Sequence, residues 1–151
     1  MKGKTIHEIK VGDRAEFTKT ITETDVVLFA GITGDFNPAH VNQVWAEGTR
    51  FRGRIAHGML SVGILSAVLG MYLPGPGTIY LSQELRFLAP VHIGDTITAQ
   101  AEVQELAKEK NRVRLRTTCQ NQDGTVVVDG TAWVMPPKTQ LETETITKTN
   151  K

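Results

Sequence analysis

The chain has a single cysteine, Cys119, in 151 residues. That excludes an intrachain disulfide framework and any thiolate-rich zinc or iron–sulfur site. Excess charge is missing too: Lys+Arg is 17 against Asp+Glu 16, a net charge of +1. No strong field therefore draws nucleic acid or an anionic membrane surface. No apolar run is long enough to cross a bilayer. The longest, residues 55–73, is broken by Ser61, Gly63, Ser66 and Gly70. The opening MKGKTIHEIKVGD lacks the apolar core of a signal peptide, so a cytoplasmic protein is expected. There is no internal repeat.

What is present is ordinary for a soluble protein: 40% hydrophobic and 22% charged residues. The length suits one domain with a real core. Val11-Gly12-Asp13 signals a turn, and a strand is predicted from Ala15 to Ile21. Thr22 or Thr24 can cap a helix through Asp25-Val26-Val27-Leu28-Phe29-Ala30 that ends near Gly34-Asp35. A short amphipathic piece is predicted from Val41 to Gly48, with Val41, Val44 and Trp45 on one face. Residues 49–54 form a basic connection.

From Ala56 to Tyr72 the chain is apolar on nearly every side, the pattern of a helix buried all round. Leu73-Pro-Gly-Pro-Gly77 stops it. The period then changes, and residues 78–89, 95–107, 111–120 and 125–135 read as four long strands. Asn121-Gln-Asp-Gly124 makes the last connection a hairpin, and Val91-His-Ile-Gly-Asp95 echoes the turn at Val11. The folded domain is expected over 1–136, with the polar, Thr-rich residues 137–151 a disordered tail. The expected architecture is α+β: a long antiparallel sheet wrapped around a central buried helix. One sheet does not easily cover such a helix and protect its own edges, so a homodimer, or a higher oligomer, is expected.

The most informative segment is Gly34-Asp35-Phe36-Asn37-Pro38-Ala39-His40. Five helical positions turn through about 500°, leaving two such side chains roughly 140° apart. Pro38 removes a backbone donor and pushes Asn37 toward extended geometry. Asp35 and His40 are thus expected to line a turn between helices.

Together with Arg54-Ile55-Ala56-His57-Gly58-Met59-Leu60, this segment closely resembles the MaoC-like, (R)-specific enoyl-CoA hydratases. Tyr80-Leu-Ser-Gln-Glu-Leu-Arg-Phe87 and Pro90-Val-His-Ile-Gly-Asp95 look like that family's strand and turn. The resemblance spans residues 8–135. It implies a hot-dog fold, a dimer, and reversible addition of water to a trans-2-enoyl-CoA, giving the (R)-3-hydroxyacyl thioester. It implies catalytic roles for Asp35 and His40, with Asn37 accompanying them. Gly58 falls at the family's oxyanion-binding amide and Ser66 at a serine near the site. His57 and Met59, flanking Gly58, are placed with Asn37 and Ser66 as candidate substrate contacts. The acyl-CoA substrate brings its own carrier, so no cofactor or metal is expected, and no nucleic acid or membrane partner.

The chemistry suits these residue types. Water must be activated at Cβ, a proton supplied to Cα, and negative charge stabilised on the thioester oxygen. A free N–H at a helix amino end meets the last need. Asp35 and His40 can divide the proton work either way. Asn37 is expected to brace the turn. On the residues alone, Asp35 reads as a helix-terminal turn residue and His40 or His57 as packing histidines; the resemblance moves the first two toward catalysis. Arg50, Arg52 and Arg54 are candidates for the phosphates of CoA, with a solvated loop equally open. Cys119 reads as a small core residue. Val62, Leu65, Leu69 and Leu73 are candidates for the wall around the acyl chain. Two other functions remain open: a thioesterase of the same fold and a non-catalytic acyl-CoA-binding module.

Overall fold

The computed structural model describes residues 2–139. The expected disordered tail therefore lies almost wholly outside the described residues. Among the described residues, five strands, four α-helices and one 3-10 turn (Lys108–Lys110) follow one another. Strand β1 spans Arg14–Thr20 and helix α1 Glu23–Thr33. Two short helices, α2 (Pro38–Val41) and α3 (Gln43–Glu47), precede α4 (Gly58–Met71). The remaining strands are β2 (Ile79–Phe87), β3 (Thr96–Ala107), β4 (Arg112–Gln120) and β5 (Val126–Met135). They form one sheet in the order β1-β3-β4-β5-β2, with every neighbour antiparallel. This is the sheet-around-helix arrangement of a hot-dog fold.

Alternation sets which face is buried. On β3, Ile97, Ala99, Ala101 and Val103 point inward; on β4, Val113, Leu115, Thr117 and Cys119 do the same. That period of two lays one face of each strand on α4. Leu65, Val68 and Leu69 fill the centre of the helix–sheet interface. Both turns expected at Gly-Asp pairs form alike. The Lys10 N–H donates to Asp13 Oδ2 at 3.1 Å, and the His92 N–H to Asp95 Oδ2 at 2.7 Å. Gly12 and Gly94 take the positive φ these turns require, at 91° and 99°.

Two expectations fail. The segment 41–48 is not one amphipathic piece, and Val44 and Trp45 are exposed while Ala46 is buried. Asn42 interrupts it, ending α2 and capping α3 through its Oδ1. Helix α4 is not buried all round either. Met59, Gly63 and Ser66 form an open stripe opposite the core. At spacings of four and three residues they share a face that this sheet does not reach, and Met71 is exposed at the helix's carboxyl end. No described helix is long and apolar enough to cross a membrane.

Candidate active site

The site is assembled by three local decisions. First, α1 starts and stops sharply. Thr22 and Asp25 form a capping box at its amino end, and Gly34 ends it at φ 78°. Second, Asn37 starts α2, its Oδ1 accepting the Ala39 N–H at 3.0 Å, with Pro38 in the first turn. Asp35 sits in the short link between these helices. Its Oδ1 accepts the Asn37 N–H at 3.2 Å, which orients the carboxylate. Third, Ile55 ties this link to the start of α4. The Ile55 N–H donates to Ala39 O at 3.1 Å, and Ile55 O accepts the His40 Nδ1–H at 2.7 Å. An isolated bridge from Ile55 to His92 and a bond from the Ala56 N–H to Val91 O pin the strap to the sheet.

Because a carbonyl can only accept, the Ile55 bond fixes the proton on His40 Nδ1 and leaves Nε2 available. His57 behaves similarly: its Nε2–H donates to the backbone oxygen of Asp35 at 2.9 Å. The His57 ring is 2% exposed and lies against His40, ring centres 3.9 Å apart, and against Phe29 at 4.9 Å. Its Nδ1 has no hydrogen-bond partner among the described residues. The nearest donor-capable side-chain atoms of Asp35, His40 and His57 lie within 4.8 Å of one another. A water giving one O–H to each of two acceptors spans acceptors about 4.5 Å apart. A separation of at most 4.8 Å between Asp35 and His40 leaves room for one water molecule. The same three side chains form a group able to hold a metal ion. The two imidazoles are tilted by 34°, and each spends one nitrogen on a backbone carbonyl, which leaves one nitrogen of each ring.

Gly58 opens α4, and its N–H has no partner among the described residues. Two clefts meet at His40, Gly58 and Met59. One, about 310 Å³, is lined by Asp35, His57, Thr33 and Phe29; the other, about 350 Å³, by Ala56, Phe87, Leu88, Val127 and Val128. The cleft that holds the carboxylate and the imidazoles thus adjoins the one lined by Phe87, Leu88, Val127 and Val128 across the helix amino end. Glycine at 58 answers to Phe87: a Cβ there would stand 2.6 Å from the Phe87 ring. The space above Cα is filled by protein, so a ligand approaches the N–H along the helix end.

Not every expected residue arrives here. Asp35, His40, His57, Gly58 and Met59 do; Asn37 stands beside them as a brace, its Oδ1 spent on the Ala39 N–H. Ser66 does not, being exposed on the open stripe of α4 and lining neither cleft. It lies eight residues from Gly58, about 12 Å along the helix. Asp35 is itself exposed in the single chain. Val62, Leu65, Leu69 and Leu73 belong to the core and line neither cleft. Arg54 is already engaged, its guanidinium paired with both carboxylate oxygens of Glu23 at 2.8 and 2.5 Å. Arg50 lies over the Phe51 ring, 4.8 Å from its centre, and lines the apolar cleft. The sequence reading missed Ser61 and Phe87. Ser61 sits one turn from Gly58, and that i, i+3 spacing was the available signal.

The model of the MaoC-like domain matches residues 6–125. The chain belongs to the MaoC-like family. An (R)-specific enoyl-CoA hydratase of Rhodospirillum rubrum is 56% identical over 130 residues, 86% of this chain and 90% of that protein. A 3-hydroxybutyryl-CoA dehydratase of Methylorubrum extorquens is 50% identical over 131 residues, covering 87% and 83%. An R-hydratase from Pseudomonas aeruginosa, solved without ligand, superposes with a TM-score of 0.88 at 48% identity, covering 93% of this chain and 90% of that one. This MaoC-like chain therefore shares with them both its hot-dog fold and nearly all of its length.

Proposed function

We propose that this protein is a hydro-lyase that adds water reversibly to trans-2-enoyl-CoA and forms the (R)-3-hydroxyacyl thioester. One observation carries the reading: a carboxylate and an imidazole spaced for one water stand beside a free amide at a helix amino end, where an apolar cleft begins. The names of the similar hydratases and dehydratase support the same substrate class. Asp35 and the Nε2 of His40 each accept one O–H of the water. Its oxygen lone pair then faces Cβ of the enoyl group. As the C–O bond forms, one water proton passes to this pair and a proton returns to Cα. Negative charge moves onto the thioester oxygen, where the Gly58 N–H and the positive end of α4 receive it. The acyl chain lies in the apolar cleft. No metal or separate cofactor enters these steps.

Two further parts of the reading concern setting and assembly. A homodimer is favoured by the unpaired outer edge of β2, with Ile79, Leu81 and Phe87 exposed, and by the open stripe of α4. Met59, at the amino end of that stripe, lines the same cleft as Asp35, so a partner there would border the site. A cytoplasmic setting agrees with the single unpaired cysteine. A thioesterase is disfavoured because α4 carries no carboxylate.

The test is the loss of enoyl absorbance when protein is added to crotonyl-CoA, with chiral analysis of the product. Wild type is expected to yield the (R)-3-hydroxy thioester; release of free CoA thiol instead would move the protein to the thioesterases.

A further inference from the structure

The amino end of α4 offers more than one donor. Gly58 and Met59 open the helix, and neither N–H has a partner among the described residues. One turn on, Ser61 is 1% exposed and lines the apolar cleft. Its Oγ is sealed and has no hydrogen-bond partner among the described residues. Such a hydroxyl is costly to keep unpaired. A helical serine commonly settles it by bonding the carbonyl four residues back. Here that carbonyl, His57 O, accepts the Leu60 N–H at 3.0 Å, and Ser61 Oγ makes no bond to it.

Direction follows from helix geometry. Side chains on an α-helix lean toward its amino end and cover the turn before their own Cα. Ser61 Oγ therefore lies over the turn that presents the Gly58 N–H. Its peptide is fixed from the other side, because Cys119 Sγ donates to Ser61 O at 3.6 Å. Burial pushes that thiol up to about 12, so its proton stays in place.

We infer that the Ser61 hydroxyl is a second donor to the thioester oxygen of the bound acyl-CoA, acting beside the Gly58 N–H. The inference rests on the hydratase reading and adds a catalytic residue to it. No covalent bond forms to Ser61 and its proton stays on Oγ. The enolate oxygen accepts the hydrogen bond while charge resides there, and releases the charge as Cα is protonated. Ser61 is thereby matched only when charge has built up, which is where a donor raises kcat.

The test compares wild type, S61A and S61C. With a short trans-2-enoyl-CoA, S61A is expected to lose roughly 10- to 100-fold in kcat, with KM changed by less than about twofold. S61C, of similar size and a weaker donor, is expected to fall between. The thermal midpoint of S61A is expected to hold or rise, since an unpaired sealed hydroxyl is removed; a merely packing serine would move stability and leave kcat alone. Acetoacetyl-CoA supplies a second readout: its bound enolate absorbance is expected to be weaker with S61A, and with S61C should the alanine variant not fold. An S61A kcat within about twofold of wild type, or equal enolate absorbance in wild type and variants, overturns the assignment. Wild type that hydrates no enoyl-CoA would defeat the hydratase reading instead, while the enolate comparison would still judge Ser61. Absence of any enolate band with a wild type that still hydrates enoyl-CoA would overturn the oxyanion role of Ser61 and leave the hydratase reading standing.

Discussion

The sheet and the segment running from α1 into α4 place their buried polar groups in different surroundings. Among the described residues the buried polar side chains are Thr117, His57 and Ser61. Thr117, on β4, is paired: its Oγ1 accepts from Gln83 Nε2 at 3.0 Å. His57 and Ser61, flanking the free Gly58 amide, each keep one polar atom without a partner. Thr78 Oγ1, just before β2, and Arg114 Nε, on β4, also lack a hydrogen bond, although Arg114 Nε stands 3.2 Å from Glu105 Oε2 as an ion pair. What sets His57 and Ser61 apart is that both line the clefts at the α4 amino end, where water and a polarised carbonyl can meet them. The contrast separates the part of the chain that carries stability from the part that carries chemistry.

Breaking the site should leave the fold standing. D35N or H40Q is expected to lower the hydration rate by roughly 10²- to 10⁴-fold, with thermal midpoints close to wild type. Calorimetry alongside the crotonyl-CoA assay checks both halves. Breaking the sheet should do the reverse. Leu115 is fully buried on β4, and L115A is expected to cost about 2–5 kcal/mol in denaturant unfolding. Its kcat per folded molecule should stay near wild type. A matching loss of both properties in either variant would dissolve the distinction.

Finer variants sharpen it. H57F keeps a ring against His40 and Phe29 and removes the donor to Asp35 O. One such hydrogen bond is worth about 0.5–1.5 kcal/mol, so a kcat loss of up to roughly tenfold is expected, with little change in KM. The smallest effect belongs to the strap. Arg54 holds the Glu23 carboxyl below its ordinary value of 4.5. A lowered carboxyl contributes its stability in full above that value and loses it as pH falls through the folded one. The stability difference between wild type and E23Q should therefore be small at neutral pH and shrink further below pH 4.5. A difference that grew on acidification would contradict the pairing.

Much of this was legible in the residues because local rules suffice for it. Alternation placed all five strands to within one or two residues, and the two Gly-Asp turns followed from glycine's access to positive φ. Pro38 foretold the break between helices, and the family resemblance foretold which side chains meet around it. What failed depends on distance along the chain. Apolar content gave α4 its helix but not its open stripe, because a composition does not say how far a sheet wraps. Arg54 found its partner 31 residues away, which no local period reports. Ser66 and Ser61 look alike in sequence. Only the placement of the clefts distinguishes the serine one turn from Gly58 from the one five residues further on.

The central claim is the shared geometry of water, thioester and helix end. A crystal structure of the D35N variant holding an unreacted trans-2-enoyl-CoA tests it most directly. The thioester oxygen is expected at about 3 Å from Gly58 N, with Cβ facing the gap between residue 35 and His40 and the acyl chain along Val127 and Val128. A thioester bound away from the α4 amino end, or a Cβ turned from that gap, would contradict it.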